Sequence, residues 1–225
     1  GVWCEQQNID SNDLFVVEPP LPVRVAAGLR VNPGTAYQLL KRYPNCNLLV
    51  SAISSQVGSY LLQLHSIYGN STEIVGLVRS QEKLVQMQRL YPKYSFYMQH
   101  QDEWKKHIKD WQKPAVALDC VGGDLASTML SALPPYSTLC SYGAVSGKPI
   151  SASVSSLVFE AKRVEGFWMS QWCRQADTLA IREMMQGLCE VVRKGRLQMP
   201  DLVDIKFEDI VDGSELSSKS CIIMP

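Results

Sequence analysis

Along the middle of the chain, short runs that are apolar throughout alternate with longer stretches in which apolar residues recur every three or four positions. Leu48-Leu49-Val50 is the first such run. It gives way to Ser51-Ala52-Ile53-Ser54-Ser55, after which Val57, Leu61, Leu62, Leu64 and Ile67 fall at helical spacing, so the pattern predicts strand, tight turn, helix. Ile74-Val75-Gly76-Leu77-Val78 repeats the apolar run and is followed by a polar helix over 81–90. Ser95-Phe96-Tyr97-Met98 predicts a third strand, and 102–111 an amphipathic helix. A fourth strand, over 115–120, ends in Val121-Gly122-Gly123 and leads into a helix through Leu125, Met129 and Leu133. A fifth, over 137–142, ends in Tyr142-Gly143-Ala144-Val145-Ser146-Gly147, and a last strand over 163–170 runs into an aromatic turn. Strands that are apolar on both faces and alternate with helices predict a doubly wound parallel sheet, a Rossmann-type α/β fold whose ligands lie across the carboxyl ends of the strands.

The flanks follow a different pattern. Val2-Trp3-Cys4 and Leu14-Phe15-Val16-Val17 predict two short strands closed by Pro19-Pro20. Pro33 suits the first turn of a helix through Ala36, Leu39 and Leu40, with Asn32 as its N-cap. Residues 176–194 predict an amphipathic helix closed by Lys194-Gly195. The tail, from Leu202 to Pro225, predicts a strand, a short helix over 207–211 and a final strand over 221–224, which would rejoin a sheet with residues 1–20.

Candidate chemistry concentrates at the strand ends. The turn Ala52-x-x-Ser55-x-x-Gly58 carries small residues where a dinucleotide-binding turn carries glycines, and the helix after it offers free amides and a positive dipole end to a phosphate. The same serines equally suit a helix N-cap with no ligand. Arg79 follows Gly58 by 79 − 58 = 21 positions. At that offset a carboxylate would hold the ribose diol of NAD, whereas an arginine takes the 2′-phosphate of NADP, so a dinucleotide bound here would be NADP. The plainer alternative is a solvated arginine at a strand end.

Composition narrows the picture further. With 46% hydrophobic residues in 225, the chain holds enough apolar material for a sizeable core. Lys plus Arg and Asp plus Glu both number 22, so no net positive charge argues for nucleic acid. No apolar stretch approaches the roughly 18 residues of a membrane span. The seven cysteines are scattered, odd in number and never in a Cys-x-x-Cys pair, which reads as reduced core thiols; Cys120, on a strand, fits a core thiol better than a nucleophile. The three histidines show no metal spacing, and His107 falls on the polar side of its helix. The chain opens at Gly1 without an initiator methionine or leader, which reads as a processed product or a fragment.

Several stretches together resemble the mitochondrial 2-enoyl thioester reductases, which are medium-chain dehydrogenase/reductase proteins of the quinone oxidoreductase type. These are Asn32-Pro33 with Thr35-Ala36-Tyr37, the turn from Ala52 to Gly58, Asp119-Cys120-Val121-Gly122-Gly123, Ser141-Tyr142-Gly143, Ser153-Val154-Ser155 and above all Gly166-Phe167-Trp168-Met169-Ser170-Gln171-Trp172. The resemblance spans essentially the whole chain. It implies hydride transfer from NADPH to the β-carbon of a trans-2-enoyl chain on acyl carrier protein or CoA, within mitochondrial fatty acid synthesis. It also implies three parts: residues 1–24 as the end of a GroES-like catalytic domain, 25–172 as the NADP-binding Rossmann domain, and 173–225 as a segment returning to the catalytic domain.

Carried over by position, the resemblance puts Asn32 beside the nicotinamide ribose or substrate, and Ser54, Ser55, Gln56, Val57 and Gly58 in the pyrophosphate turn. Arg79 would grip the 2′-phosphate. Tyr142, Gly143, Ala144 and Val145 would run along the nicotinamide half, Phe167, Trp168, Met169 and Ser170 would wall the cleft, and Lys219 would touch the cofactor. No residue is assigned a catalytic proton transfer, because the family's proton-donor tyrosine belongs to the N-terminal domain, and no metal ligands are implied. Gln56 stands where the family's turn carries a further glycine, and Gln81 where a second basic residue is expected, so weakened NADPH binding is expected. The resemblance also implies a homodimer joined through the cofactor domain. A second reading follows from the same departures: a reductase-derived subunit with a structural or binding role in a mitochondrial assembly.

Overall fold

A computed structural model of the chain describes residues 8–9, 14–17, 21–69, 72–200, 203–206 and 220–223. The chain divides into two compact units, Asn32–Gln175 and a second composed of Gly1–Val31 with Ala176–Pro225.

The larger unit is built on six parallel strands. They are β1 (Asn47–Val50), β2 (Ile74–Val78), β3 (Ser95–Met98), β4 (Ala115–Asp119), β5 (Thr138–Ser141) and β6 (Arg163–Gly166), in the spatial order β3-β2-β1-β4-β5-β6. The register sets Val50 beside Gly76 on one side and Leu118 on the other, and Cys140 beside both Leu118 and Glu165. Strands β2 and β4 are buried at every position, as their unbroken apolar runs require. The order reverses direction at β1 and β4, which makes the crevice above them the switch point at which such sheets bind ligands.

Helices cover the sheet. With the helix Val23–Gly28 of the smaller unit counted as α1, those of the larger unit are α2 (Asn32–Arg42), α3 (Gln56–Tyr68), α4 (Gln81–Leu90), α5 (Glu103–Lys109), α6 (Gly123–Ala132), α7 (Val154–Val158) and α8 (Met169–Gln175). Trp104, Ile108 and Trp111 pack with Leu49, Val75, Leu77 and Ala117 of the sheet and with Met129, Leu130 and Leu133 from the α6 region in one apolar cluster. Helices α2 and α3 pack on each other, burying Leu39, Leu61 and Leu64.

Two details differ from the sequence pattern in this unit. The stretch from Met169 folds as helix α8 rather than as an aromatic turn; Trp172 N donates to Trp168 O at 2.9 Å, a helical bond that the density of aromatic residues obscured. His107 is not a solvated helix residue. Its Nε2 lies 2.6 Å from Glu73 Oε1 and its Nδ1 2.7 Å from the Tyr97 hydroxyl, while Trp111 Nε1 donates to Glu73 Oε2 at 2.9 Å. A carboxylate only accepts, so Nε2 carries a proton toward Glu73; with the imidazole neutral, the Tyr97 hydroxyl donates to Nδ1.

In the smaller unit α9 (Thr178–Arg193) is capped by Asp177, whose carboxylate accepts from Ala180 N at 2.7 Å. Residues 14–17 are not the predicted strand: Leu14, Phe15 and Val16 line a hollow with Arg182, Gln186, Cys189 and Arg193 of α9, and Leu14 and Val16 remain 52% and 69% exposed. The tail strands β7 (Val203–Lys206) and β8 (Ser220–Ile223) pair with each other in parallel. The expected strand at Val2-Trp3-Cys4, the helix over 207–211 and Met224 lie outside the described residues.

Candidate functional site

The turn between β1 and α3 is fixed by its neighbours on both sides. Ser51 N donates to Leu118 O at 3.0 Å and Ile53 N to Leu77 O at 3.2 Å, tying the turn to β4 and β2. Ala52 sits between them with φ 45°, in the left-handed region that costs a side-chain-bearing residue about 1 kcal/mol or more. Ser55 is the N-cap of α3: its hydroxyl accepts from Gly58 N at 3.2 Å. Gly58 must be glycine, because a Cβ there would overlap the carbonyl of Ile53. These contacts bring the first turn of α3 up against the end of β1, where a helix amino end favours an anion. Gln56 occupies the first helical position, and Asn32, which begins α2 rather than preceding it, donates from Nδ2 to Gln56 Oε1 at 2.6 Å.

A buried carboxylate joins this turn to the next one. Asp119, at the end of β4, is 0% exposed. It accepts from Ser51 Oγ at 2.6 Å, from Gly122 N at 2.7 Å and from Val121 N at 3.1 Å, while Ser51 Oγ in turn accepts from Cys120 N at 3.1 Å. Gly122 and Gly123 take φ of 78° and 62°, which opens the turn without strain. The switch point is therefore one hydrogen-bonded knot.

The remaining strand ends complete the edge. Arg79 is exposed at the end of β2, and its guanidinium has no ion-pair or hydrogen-bond partner among the described residues. No carboxylate occupies that strand end, since Arg79 is followed by Ser80, the N-cap of α4. Beyond β5, Tyr142 N, Val145 N and Ser146 N donate to Asp119 O, Cys120 O and Val121 O, so the segment lies along the β4 turn. Gly143 comes so close to Cys120 that a Cβ on it would lie 2.9 Å from the cysteine Cβ. The Tyr142 hydroxyl is buried beside the Cys120 thiol with no hydrogen-bond partner of good geometry among the described residues. Burial pushes the phenol well up and the thiol up as well, so both stay neutral at physiological pH.

Beyond β6, Phe167 and Met169 are buried, Ser170 is exposed, and Trp168 is 61% exposed with the Arg174 guanidinium 5.0 Å from its ring centroid. Tyr142, Gly143, Ala144, Phe167 and Trp168 line an open cleft of about 470 Å³ together with Trp172. Beside it Arg42 pairs with Glu165 at 3.2 Å, and Tyr43 hydrogen-bonds the same carboxylate.

Thus Asn32, Ser54, Ser55, Gln56, Val57, Gly58 and Arg79 meet at the carboxyl edges of β1 and β2, and 142–145 and 167–170 at those of β5 and β6. Lys219 lies outside the described residues. Ser51 and Asp119 organise the site; Asp119 was noted only within a motif and neither residue was given a site role from sequence, where the signal available was an acid ending an otherwise wholly apolar strand. Among the described residues no group of three or more His, Cys, Asp or Glu side chains could hold a metal ion, and the described cysteines, Cys46, Cys120, Cys140, Cys173 and Cys189, are free thiols.

Comparison with known proteins places this geometry. Residues 57–187 match the zinc-binding dehydrogenase family model. The mitochondrial enoyl-[acyl-carrier-protein] reductase of Xenopus tropicalis is 31% identical over 243 residues, covering 100% of this chain and 69% of that protein. The bovine enzyme of the same name is 29% identical over 229 residues, covering 97% of this chain but 61% of its own length, so the chain spans about three fifths of that relative. Among solved structures, an Etr1p mutant in complex with NADP and crotonyl-CoA superposes with a TM-score of 0.73 at 20% identity, covering 86% of this chain and 58% of that one. The mitochondrial 2-enoyl thioester reductase Etr1p/Etr2p heterodimer from Candida tropicalis gives 0.70 at 21% identity, covering 87% and 56%. With its six-stranded parallel sheet and these relatives, the chain belongs to the medium-chain dehydrogenase/reductase family, as a homologue of the mitochondrial enoyl-[acyl-carrier-protein] reductases.

Proposed function

We propose that the chain binds NADPH across the carboxyl edge of its six-stranded sheet and supplies the cofactor-binding part of a mitochondrial enoyl thioester reductase. The observation that carries this reading is the switch point: a small-residue turn, a capped helix amino end and a buried Asp119 knot, with an arginine that has no partner, and no carboxylate, at the neighbouring strand end among the described residues. Bound there, NADPH would supply the hydride that reduces the double bond of a trans-2-enoyl thioester carried on acyl carrier protein or CoA. The chain's own part is to hold and orient. Val57 N and the α3 dipole face the pyrophosphate, Arg79 takes the 2′-phosphate, Gly143 lets the backbone approach closely, and Phe167 and Trp168 keep water from one wall of the cleft. Tyr142 stays neutral and is assigned no proton transfer.

The outer edge of β6 pairs with no other described strand, and Val154, Val158, Phe159 and Val164 are exposed near it at 43–85%. This supports a homodimer joined at that edge. The second reading, a subunit without catalysis in a mitochondrial assembly, is favoured by one observation, the Gln56 side chain tied to Asn32 beside the turn. Titration of the purified chain with NADPH, with NADH as control, separates the two. Saturable micromolar binding that prefers NADPH supports the reductase reading; a folded chain that binds neither at millimolar concentration overturns it.

A further inference from the structure

Gln56 is the first residue of α3, and side chains at the first helical position lean toward the helix amino end. That is also where an anion bound to the helix would sit. Its amide does not hang in solvent: Asn32 Nδ2 donates to Gln56 Oε1 at 2.6 Å in a part-buried setting, and Asn32 is itself the first residue of α2. The two amino ends are thereby linked by a side-chain bridge next to the first turn of α3, where the Val57 amide donates no backbone hydrogen bond among the described residues.

We propose that the Asn32–Gln56 hydrogen bond is a latch that attenuates dinucleotide affinity: the pyrophosphate and the bridged side chains compete for the same space, and binding requires Gln56 to release Asn32 and turn away. This inference rests on the cofactor reading above. The latch acts on the part of the cofactor that NADPH and NADH share, so it changes affinity without changing preference. The residue that sets preference, Arg79, lies on a different strand end.

The test is direct titration of the full chain with NADPH and with NADH, read by isothermal calorimetry, for wild type, Gln56→Ala and Gln56→Ser, each confirmed folded by circular dichroism. Breaking one neutral side-chain hydrogen bond and opening the turn should lower the dissociation constants of both cofactors by about five- to tenfold, leaving their ratio unchanged. Two variants are used because serine, a good residue at helix amino ends, holds the first turn if alanine loosens it. Unchanged or weaker binding in both variants overturns the latch while leaving the cofactor site standing, and would make Gln56 a spectator or a contact of the phosphates. Tightening for one cofactor alone also overturns it. If wild type and both variants, all folded, bind neither cofactor at millimolar concentration, the cofactor reading itself fails and the latch with it.

Discussion

Removing the Asp119 carboxylate should cost more stability than any other polar truncation at the sheet edge. The side chain is 0% exposed and accepts three hydrogen bonds, from Ser51 Oγ, Val121 N and Gly122 N. Asp119→Ala leaves two amides and one hydroxyl without an acceptor in a dry site. Each buried orphan costs about 1–3 kcal/mol, but groups in one network do not add, so about 3–5 kcal/mol is expected in total. Set against a domain stability of about 5–15 kcal/mol, that leaves the unit marginal. Asp119→Asn keeps the shape but turns one acceptor into a donor, for a loss of about 1.5–3 kcal/mol. Urea unfolding is the assay, followed by tryptophan fluorescence, since Trp104 and Trp111 are buried in the same unit. A Ser51→Ala and Asp119→Ala double-mutant cycle should give a coupling of about 1–3 kcal/mol. A loss below about 1 kcal/mol for Asp119→Ala would show that the turns hold without the knot, and the reasoning would be wrong.

Other expectations are equally specific. Arg79→Ala should weaken NADPH binding about ten- to a hundredfold by loss of one charge-assisted contact, with NADH binding almost unchanged; equal weakening of both would remove Arg79 from the 2′-phosphate role. Ala52→Gly should raise the urea midpoint, by about 0.5–1 kcal/mol in stability, because φ 45° strains alanine and not glycine; a lower midpoint would sink that account. Burial, and then the charge of Lys93, lower the pKa of His65 below the usual 6.5. Its contribution to stability is therefore complete above about pH 6.5 and is lost as pH falls toward the folded value, a slope that His65→Gln should abolish in pH-dependent unfolding. Glu165 is subject to burial, which raises its pKa, but hydrogen bonds from Arg42 and Tyr43 prevail and lower it below 4.5. That half-exposed pair should add only about 0.2–1 kcal/mol, present above pH 4.5 and fading below it; an acid transition unmoved by Glu165→Gln would exclude the contribution.

The middle of the sheet was legible because its strands obey one rule, which the outer strands β3 and β6 do not follow. Ile74–Val78 and Ala115–Asp119 are buried at every position, so an unbroken apolar run announces each. Ser55 was readable as a cap for a similarly local reason, whereas Ser80, which caps α4, was not singled out. What sequence pattern hides is chemistry made by distant residues. Glu73 lies just before β2, Tyr97 on β3 and His107 on α5, and nothing in their spacing announces the bonds that join them. The Ser51–Asp119 bond spans 68 positions. At the amino end, Leu14 to Val16 look like a strand by composition, but they lie beside a mostly polar stretch of α9, and Leu14 and Val16 stay 52% and 69% exposed. An apolar run states a preference for burial, and the surrounding chain decides whether that preference is met.

The same distinction applies at the carboxyl edge of the sheet. Its backbone features are held by many contacts at once: the approach of Gly58 to Ile53, the left-handed Ala52 and the Asp119 knot each require neighbouring strands to stay in register. None of these is needed merely to cap α3, for which Ser55 alone suffices. Gln56, by contrast, alters the site through a single side chain whose bond to Asn32 is worth about 1 kcal/mol, well within reach of a rotation driven by an arriving phosphate. A strained, over-determined turn with one adjustable side chain fits a tuned binding site better than a relic, because strain of this kind persists in structures only where the surroundings enforce it. The strained turn with its one adjustable side chain therefore supports the proposal that the site binds NADPH with reduced affinity, and the paired titrations of wild type and the Gln56 variants measure by how much.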